Sequence, residues 1–189
     1  MTALVVLFVV AVVPLAPTEA VLIGCGVLAA SGDLPLAAVI GVAAVGCTLS
    51  DLINFTVGRT AGMRALTRFS QRPGPRAVVA WTASKLATRG ESILVAVRFV
   101  PGGGLAGAVL AGSLRWPIRR FAPIALVGAA LWSAYTATLG YFGGRIFTDP
   151  LVATLISFVV ATLISVPIGM AVKAAQRRVV DAAAEVVPA

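Results

Sequence analysis

The sequence predicts an all-α protein that crosses a membrane several times. Of its 189 residues, 59% are hydrophobic and only 12% are charged, whereas soluble domains carry about 25% charged residues. The mean hydropathy is +1.01, and long apolar segments alternate with stretches that hold most of the basic residues. Such segments are typical of transmembrane helices. We therefore expect an integral membrane protein with a single domain over residues 1–178.

Residues 1–31 predict a helix, a break and a second helix. The first apolar run, residues 3–13, is shorter than the about 20 residues that a span needs, and Pro14 and Pro17 interrupt the pattern. The apolar pattern resumes at once after the break, which disfavours a cleaved signal peptide. We interpret this segment as a re-entrant hairpin with Glu19 at its break; a full span is the alternative.

Beyond residue 33 the chain predicts three full spans and one segment along the membrane surface. The first span would be about 36 Å long as a helix, enough to cross the bilayer, and it contains Asp51 and Asn54. The arginine-rich segment that follows is expected to be cytoplasmic and interfacial. The predicted boundaries are 34–58, 121–143 and 151–172 for the spans, 60–90 for the interfacial segment and 179–189 for a short cytoplasmic tail.

Residues 91–115 predict a second re-entrant hairpin. Arg98 lies in this apolar segment, and an arginine at membrane depth faces protein, water or an anionic ligand. Pro101, Gly102, Gly103 and Gly104 break the helix, and a helix N-terminus is expected after Gly104. Broken backbone is tolerated at that depth only where protein or a wet cavity satisfies it. The hairpin would offer Arg98 and free backbone N–H groups to an anion.

The basic residues predict the orientation. They fall mainly in three groups, at residues 59–89, 115–120 and 173–178, and such groups mark the cytoplasmic side. If all three are cytoplasmic, residues 91–115 must enter and leave the membrane on the same side, and Arg145 lies outside. The charge pattern thus supports a re-entrant second hairpin independently of its glycines.

An internal repeat is also present. Residues 27–62 align with residues 109–144 at an offset of 82, with twelve identities in 36 positions. Each copy would consist of a hairpin plus one span and would cross the membrane once, so the second copy would be inverted relative to the first. Inverted repeats with broken helices are a transporter architecture.

Several function classes are excluded by what the sequence lacks. There is no histidine, so neither a Ser-His-Asp triad nor an HExxH zinc site can form. Cys25 and Cys47 lie in apolar runs without metal-ligand spacing. The net charge of +8 flanks apolar spans, which indicates topology and anionic headgroups rather than nucleic acid. We expect no enzyme, no metal and no cofactor.

Four motifs together resemble the DedA family of membrane proteins, also called SNARE-associated or VTT-domain proteins. They cover about residues 19–145 in the family's order, and the combination is specific where each motif alone would be weak. The motifs are Pro17-Thr18-Glu19 followed by a small-residue run, Asp51 followed by Phe55 and Gly58-Arg59-Thr60-Ala61-Gly62, Arg98-Phe99-Val100-Pro101-Gly102 followed by Ala111-Gly112, and Trp132 followed by Leu139-Gly140-Tyr141-Phe142-Gly143.

The resemblance implies lipid transport in the bacterial plasma membrane. Bacterial members of the family include flippases that recycle undecaprenyl phosphate, and eukaryotic relatives are phospholipid scramblases. It further implies that acids matching Glu19 and Asp51 couple transport to protons or monovalent cations. Gly104 stands where the family often has a second arginine, and Ser50 and Phe55 replace a usual glycine and tyrosine.

The candidate site follows from both lines of reasoning. Arg98 with Pro101, Gly102 and Gly103 would bind an anionic lipid such as a polyprenyl phosphate, because arginine offers phosphate a bidentate fork. Glu19 and Asp51 would couple transport to an ion, with Asn54 and Arg59 beside them. Three structural alternatives stay open: Arg98 pairs with Glu19 or Asp51, Asp51 bonds unwound backbone, and Arg59 is a topology anchor.

Two other functions also stay open. One is a passive phospholipid scramblase, and the other is a membrane scaffold that transports nothing. A homo-oligomer is compatible with the sequence.

Overall fold

The described part of this computed structural model is helical throughout, without a strand. It comprises residues 1–69, 94–95, 98–99, 103–147 and 149–163, with side chains described up to residue 61 in the first range. The helices longer than one turn in these ranges are α1 Thr2–Val12, α2 Thr18–Ala30, α3 Leu36–Phe69, α4 Gly103–Ser113, α5 Ile118–Ile146 and α6 Pro150–Leu163.

The chain divides into two compact units. The first unit contains Met1–Ile53 and Ile118–Ile164, and the second contains Asn54–Pro117. Helix α3 begins in the first unit and ends in the second. The prediction of a single domain stays a prediction.

The predicted interruption of the N-terminal segment lies between α1 and α2. Pro14 has no backbone N–H to donate to the carbonyl of Val10, so α1 cannot continue past this point. The hydroxyl of Thr18, the first residue of α2, donates to that carbonyl oxygen at 3.4 Å. Leu15 takes a left-handed φ of 68° in the turn, and α1 and α2 pack together as a helical hairpin. Glu19 lies in the first turn of α2 rather than at the break itself.

Helices α2 and α4 end with the same backbone motif. Gly32 and Arg115 are left-handed, with φ of 89° and 56°. In both cases this residue and the next donate their N–H groups to carbonyls three and five residues back, which is a Schellman motif. Glycine adopts this φ freely, whereas arginine adopts it at a cost. In both cases a proline, Pro35 or Pro117, then precedes the next helix.

Among the residues that the structure describes, two helices are long and apolar enough to cross a membrane, Leu36–Ala61 within α3 and α5 at Ile118–Ile146. The spans predicted at residues 34–58 and 121–143 fall on them. The helix runs on to Phe69, past the predicted end of the first span at Gly58-Arg59, and the membrane boundary of that span stays a prediction. Residues 60–69, predicted as interfacial, thus continue α3, and the rest of that segment lies outside the described residues.

Helix α6 corresponds to the beginning of the predicted third span. Asp149 caps it, its Oδ1 atom accepting hydrogen bonds from the N–H groups of Leu151 at 2.8 Å and Val152 at 3.1 Å. The fourteen residues Pro150–Leu163 make a helix of about 21 Å, shorter than the hydrocarbon core. The predicted remainder, to residue 172, lies outside the described residues.

In the first unit, α2 lies parallel to α5 with their backbones in close contact. Two glycines make this approach possible. A Cβ on Gly26 would overlap the carbonyl oxygen of Ala137, and a Cβ on Gly140 would overlap that of Ile23. Around this pair, α1, α2, α3 and α5 bury an apolar core whose buried members are Leu7, Leu22, Cys25, Ala29, Leu34, Val39, Ala43 and Ala137.

The second unit contains the same reciprocal contact between α3 and α4. A Cβ on Gly112 would overlap the carbonyl oxygen of Phe55, and a Cβ on Gly58 would overlap that of Val109. The Ser113 hydroxyl also donates to the carbonyl of Gly58 at 3.0 Å. In both units a carbonyl of the long helix meets a glycine of the short one. A glycine three residues further along the long helix contacts a second carbonyl. This carbonyl belongs to the short-helix residue three positions before the first glycine.

Candidate functional site

Arg98 lies in a turn shortly before α4. Its backbone N–H donates to the carbonyl of Val95 at 3.3 Å, its side chain is half-buried, and its Nε atom is buried. Helix α4 begins at Gly103, two residues before the start predicted after Gly104, and Gly103 is itself buried. Pro101 and Gly102 lie outside the described residues.

Leu94, which precedes this turn, lies against α4, which follows it. A Cβ on Gly107 would lie 3.3 Å from the Cδ2 atom of Leu94. The first turn of α4 contains Gly103 and Gly104 and no acid, so its free N–H groups keep their positive dipole for an anion.

Glu19 lies in the first unit, at the start of α2. Its side chain is half-buried, and its carboxyl is close enough to act electrostatically on the Tyr135 hydroxyl of α5. An acid in the first helical turn interacts favourably with the helix dipole. This neighbour on α5 was not predicted, since it depends on how α2 and α5 are aligned.

Asp51 and Asn54 are buried polar residues on successive turns of α3. Asp51 is 6% exposed and Asn54 is 8% exposed. Asp51 follows Cys47 by one turn, and Cys47 packs with Ala11 and Ala129 in a small cluster of the first unit. A buried carboxyl in an apolar segment is costly unless it is paired or protonated.

Arg59 holds the end of α4 against α3. Its Nη1 atom donates to the carbonyl oxygen of Trp116 at 3.0 Å, and its guanidinium lies 6.0 Å from the ring centroid of Phe55. These contacts give Arg59 a structural role in the second unit, and its role as a topology anchor stays a prediction.

The structure places the predicted residues in two groups. Glu19 and Asp51 belong to the first unit, whereas Asn54, Arg59, Arg98 and Gly103 belong to the second. Sequence reasoning missed two residues of α5, Ser133 and Thr136, which are fully buried. Their Oγ and Oγ1 atoms have no hydrogen-bond partner within the described ranges. Their sequence signal is a pair of hydroxyl residues three apart in the middle of a span.

These features define a helical integral membrane protein. The VTT domain family model matches residues 16–142, and the chain therefore belongs to the VTT-domain family, which includes DedA. The prediction made from the four motifs is confirmed.

Three relatives illustrate the similarity. The chain is 33% identical over 133 residues to uncharacterized membrane protein slr0232 of Synechocystis sp., covering 70% of the chain but only 61% of the relative. It is 32% identical over 133 residues to inner membrane protein YohD of Escherichia coli K12, covering 70% and 67%. It is 26% identical over 159 residues to protein DedA of the same strain, covering 83% and 71%. No solved structure matches the chain.

Proposed function

We propose that this chain is a membrane lipid transporter that binds an anionic headgroup between Arg98 and the N-terminus of α4. The observation that carries the proposal is the half-buried Arg98 in a turn just before a helix that begins at buried Gly103 without an acid. A guanidinium and free backbone N–H groups are both phosphate ligands. In an apolar segment they can replace the water that a phosphate loses on entering the membrane.

The substrate class we favour is a polyprenyl phosphate, and within the family's range undecaprenyl phosphate. A phosphate monoester presents several oxygens to the planar arginine fork, whereas lysine is a point charge. Gly104, where the family often has a second arginine, leaves Arg98 as the arginine nearest in sequence to the N-terminus of α4. The headgroup would then depend on Arg98 more strongly than in relatives with two arginines.

Glu19 and Asp51 would couple this transport to protons or monovalent cations. Both are carboxyl side chains in apolar segments, one half-buried and the other almost fully buried. A carboxylate in low dielectric favours binding a proton or another cation. Release of that ion on the other side of the membrane would give the lipid movement a direction.

The proposed architecture is an inverted repeat with two re-entrant hairpins. What supports it is the packing: α2, from the first sequence repeat, packs on α5 from the second, and α4 packs on α3 in the same manner. Corresponding residues of these glycine–carbonyl contacts are 82 residues apart on the long helices, α3 and α5. They are 86 residues apart on the short helices, α2 and α4. The short helices are thus one turn away from their sequence alignment. Both are also too short to span.

We further propose the bacterial plasma membrane, with the basic segments on the cytoplasmic side. Single cysteines near Arg72 and Arg119, introduced into a variant in which Cys25 and Cys47 are replaced, should both react with an impermeant thiol reagent from the cytoplasmic side. A cysteine near Asp149 should react from the opposite side. Labelling of the first two positions from opposite sides would contradict the re-entrant second hairpin.

The deciding experiment measures movement of a polyprenyl phosphate in proteoliposomes, with and without a pH or Na⁺ gradient. Arg98→Ala should abolish headgroup-dependent movement and Arg98→Lys should weaken it, whereas the exposed Arg119→Ala serves as the matched control. Glu19→Gln and Asp51→Asn should remove the response to the gradient, because an amide keeps the shape but carries no proton.

Each alternative has its own outcome in this assay. Lipid movement that no gradient drives in the parent would favour a passive scramblase. Movement of no lipid, or movement that is the same with Arg98→Ala, would contradict a headgroup site at Arg98 and leave a scaffold as the better account.

A further inference from the structure

Two buried hydroxyls on α5 lack the hydrogen bond that such groups usually make. A serine or threonine inside a helix commonly donates to the carbonyl three or four residues back. Thr138 does so to Ala134, and Thr48 does so to Ala44 at 2.7 Å. The hydroxyls of Ser133 and Thr136, both 0% exposed, make no hydrogen bond to any residue that the structure describes. An unsatisfied buried hydroxyl is unfavourable, so a polar partner is expected there.

The register of α2 against α5 predicts that Glu19 lies beside these hydroxyls. The two helices run parallel, with Gly140 against Ile23 and Gly144 against Val27. Each pair is one turn further along both helices than the pair before it. Continued one turn back along both helices, the same register pairs Thr136 with Glu19. Tyr135, the residue next to Thr136, is likewise within electrostatic range of Glu19.

We propose that Glu19, Ser133 and Thr136 form a binding site for a monovalent metal cation such as Na⁺. Residues 133 and 136 lie three apart and share a face of α5. Carboxylate and hydroxyl oxygens are hard ligands, and a single carboxylate matches a single positive charge. No group of three or more His, Cys, Asp or Glu side chains occurs in the described ranges. A divalent ion, which takes more carboxylates, is therefore disfavoured.

This proposal rests on the proposed function, since it assigns the coupling ion. A proton alone would need only the Glu19 carboxyl, whereas a metal ion that loses its water needs several oxygen ligands. The two hydroxyls thus favour a metal cation over a proton. Ser133 and Thr136 would set the ion specificity, while Glu19 supplies the charge.

The test is Na⁺ binding to the purified full chain in detergent at fixed pH and ionic strength, with choline replacing Na⁺. Binding is measured with radioactive ²²Na⁺ and as the rise in melting temperature with Na⁺ concentration. Thr136→Val and Ser133→Ala should each weaken Na⁺ binding at least tenfold, and Glu19→Gln should abolish it. Thr138→Val is the matched control, because its hydroxyl already bonds within α5, and it should bind as the parent does.

A parent protein that binds no Na⁺, or hydroxyl variants that bind it unchanged, would overturn the site. If Thr136→Val does not fold, Thr136→Ser keeps the hydroxyl and should bind Na⁺ as the parent does. Measuring lipid movement distinguishes a failure of the cation site from a failure of the proposed transport function. Na⁺ binding without any lipid transport would contradict the transporter alone, whereas transport driven by protons without Na⁺ binding would contradict the cation site alone.

Discussion

Gly140→Ala tests the contact between α2 and α5. The three atoms nearest to the added Cβ all belong to the backbone of Ile23: its carbonyl oxygen, its carbonyl carbon at 2.9 Å and its Cα at 3.0 Å. A backbone cannot rotate away as a flexible side chain can, so the helices must separate. Overpacking typically lowers the free energy of unfolding by about 1–3 kcal/mol, and we expect Gly140→Ala to lie at the upper end of this range. Alanine regains about 1 kcal/mol of helix propensity, which leaves a net destabilisation of about 2 kcal/mol.

The matched control is Gly41→Ala in α3. No atom lies within 4 Å of a Cβ added at Gly41, so only the gain in helix propensity remains, at most about 1 kcal/mol. The free energy of unfolding is measured in mixed micelles with increasing sodium dodecyl sulfate. A Gly140→Ala protein as stable as Gly41→Ala would refute the close contact of α2 with α5.

Two further stability changes follow from the second unit. Arg115→Gly should stabilise the protein by roughly 0.5–1 kcal/mol. The left-handed φ of 56° costs a non-glycine residue about 1–2 kcal/mol, which glycine would relieve. Part of this gain is lost because glycine has more conformational freedom in the unfolded chain. An unchanged or lower unfolding free energy in the same micelle titration would contradict this account of the Schellman turn. Arg59→Lys should destabilise by about 0.5–1 kcal/mol, since lysine loses the fork over Phe55 and its bond to Trp116. Thermal unfolding identical to that of the parent would argue against this anchor.

Features that depend on local chemistry could be predicted from the sequence. The break after Val12 follows from a proline that cannot donate to Val10, and the apolar length of α5 alone indicates a span. The helix start at Gly103 was likewise within two residues of its prediction. In each case the deciding residues lie within a turn or two of the feature.

Features that depend on helix pairing could not be predicted. Gly58 followed by Arg59 resembles a helix end, yet α3 continues through it, and Gly58 instead admits the carbonyl of Val109 against the helix. The sequence alone does not distinguish a glycine that ends a helix from a glycine that lets a neighbouring helix approach. Ser133 and Thr136 were missed for the same reason, because their importance depends on the register between α5 and α2.

The two short helices are alike in packing and opposite in the charge at their N-terminal ends. Helix α2 carries Glu19 in its first turn, and this carboxyl offsets the positive end of the helix dipole and leaves a site suited to a cation. Helix α4 begins with glycines, so its dipole is not offset and Arg98 adds a positive charge just before it. The proposed coupling of a cation to the movement of an anionic lipid requires one site of each kind. The short helices α2 and α4 keep the same glycine–carbonyl contacts but differ in charge at their N-terminal ends. This difference is what one cation site and one anion site would require.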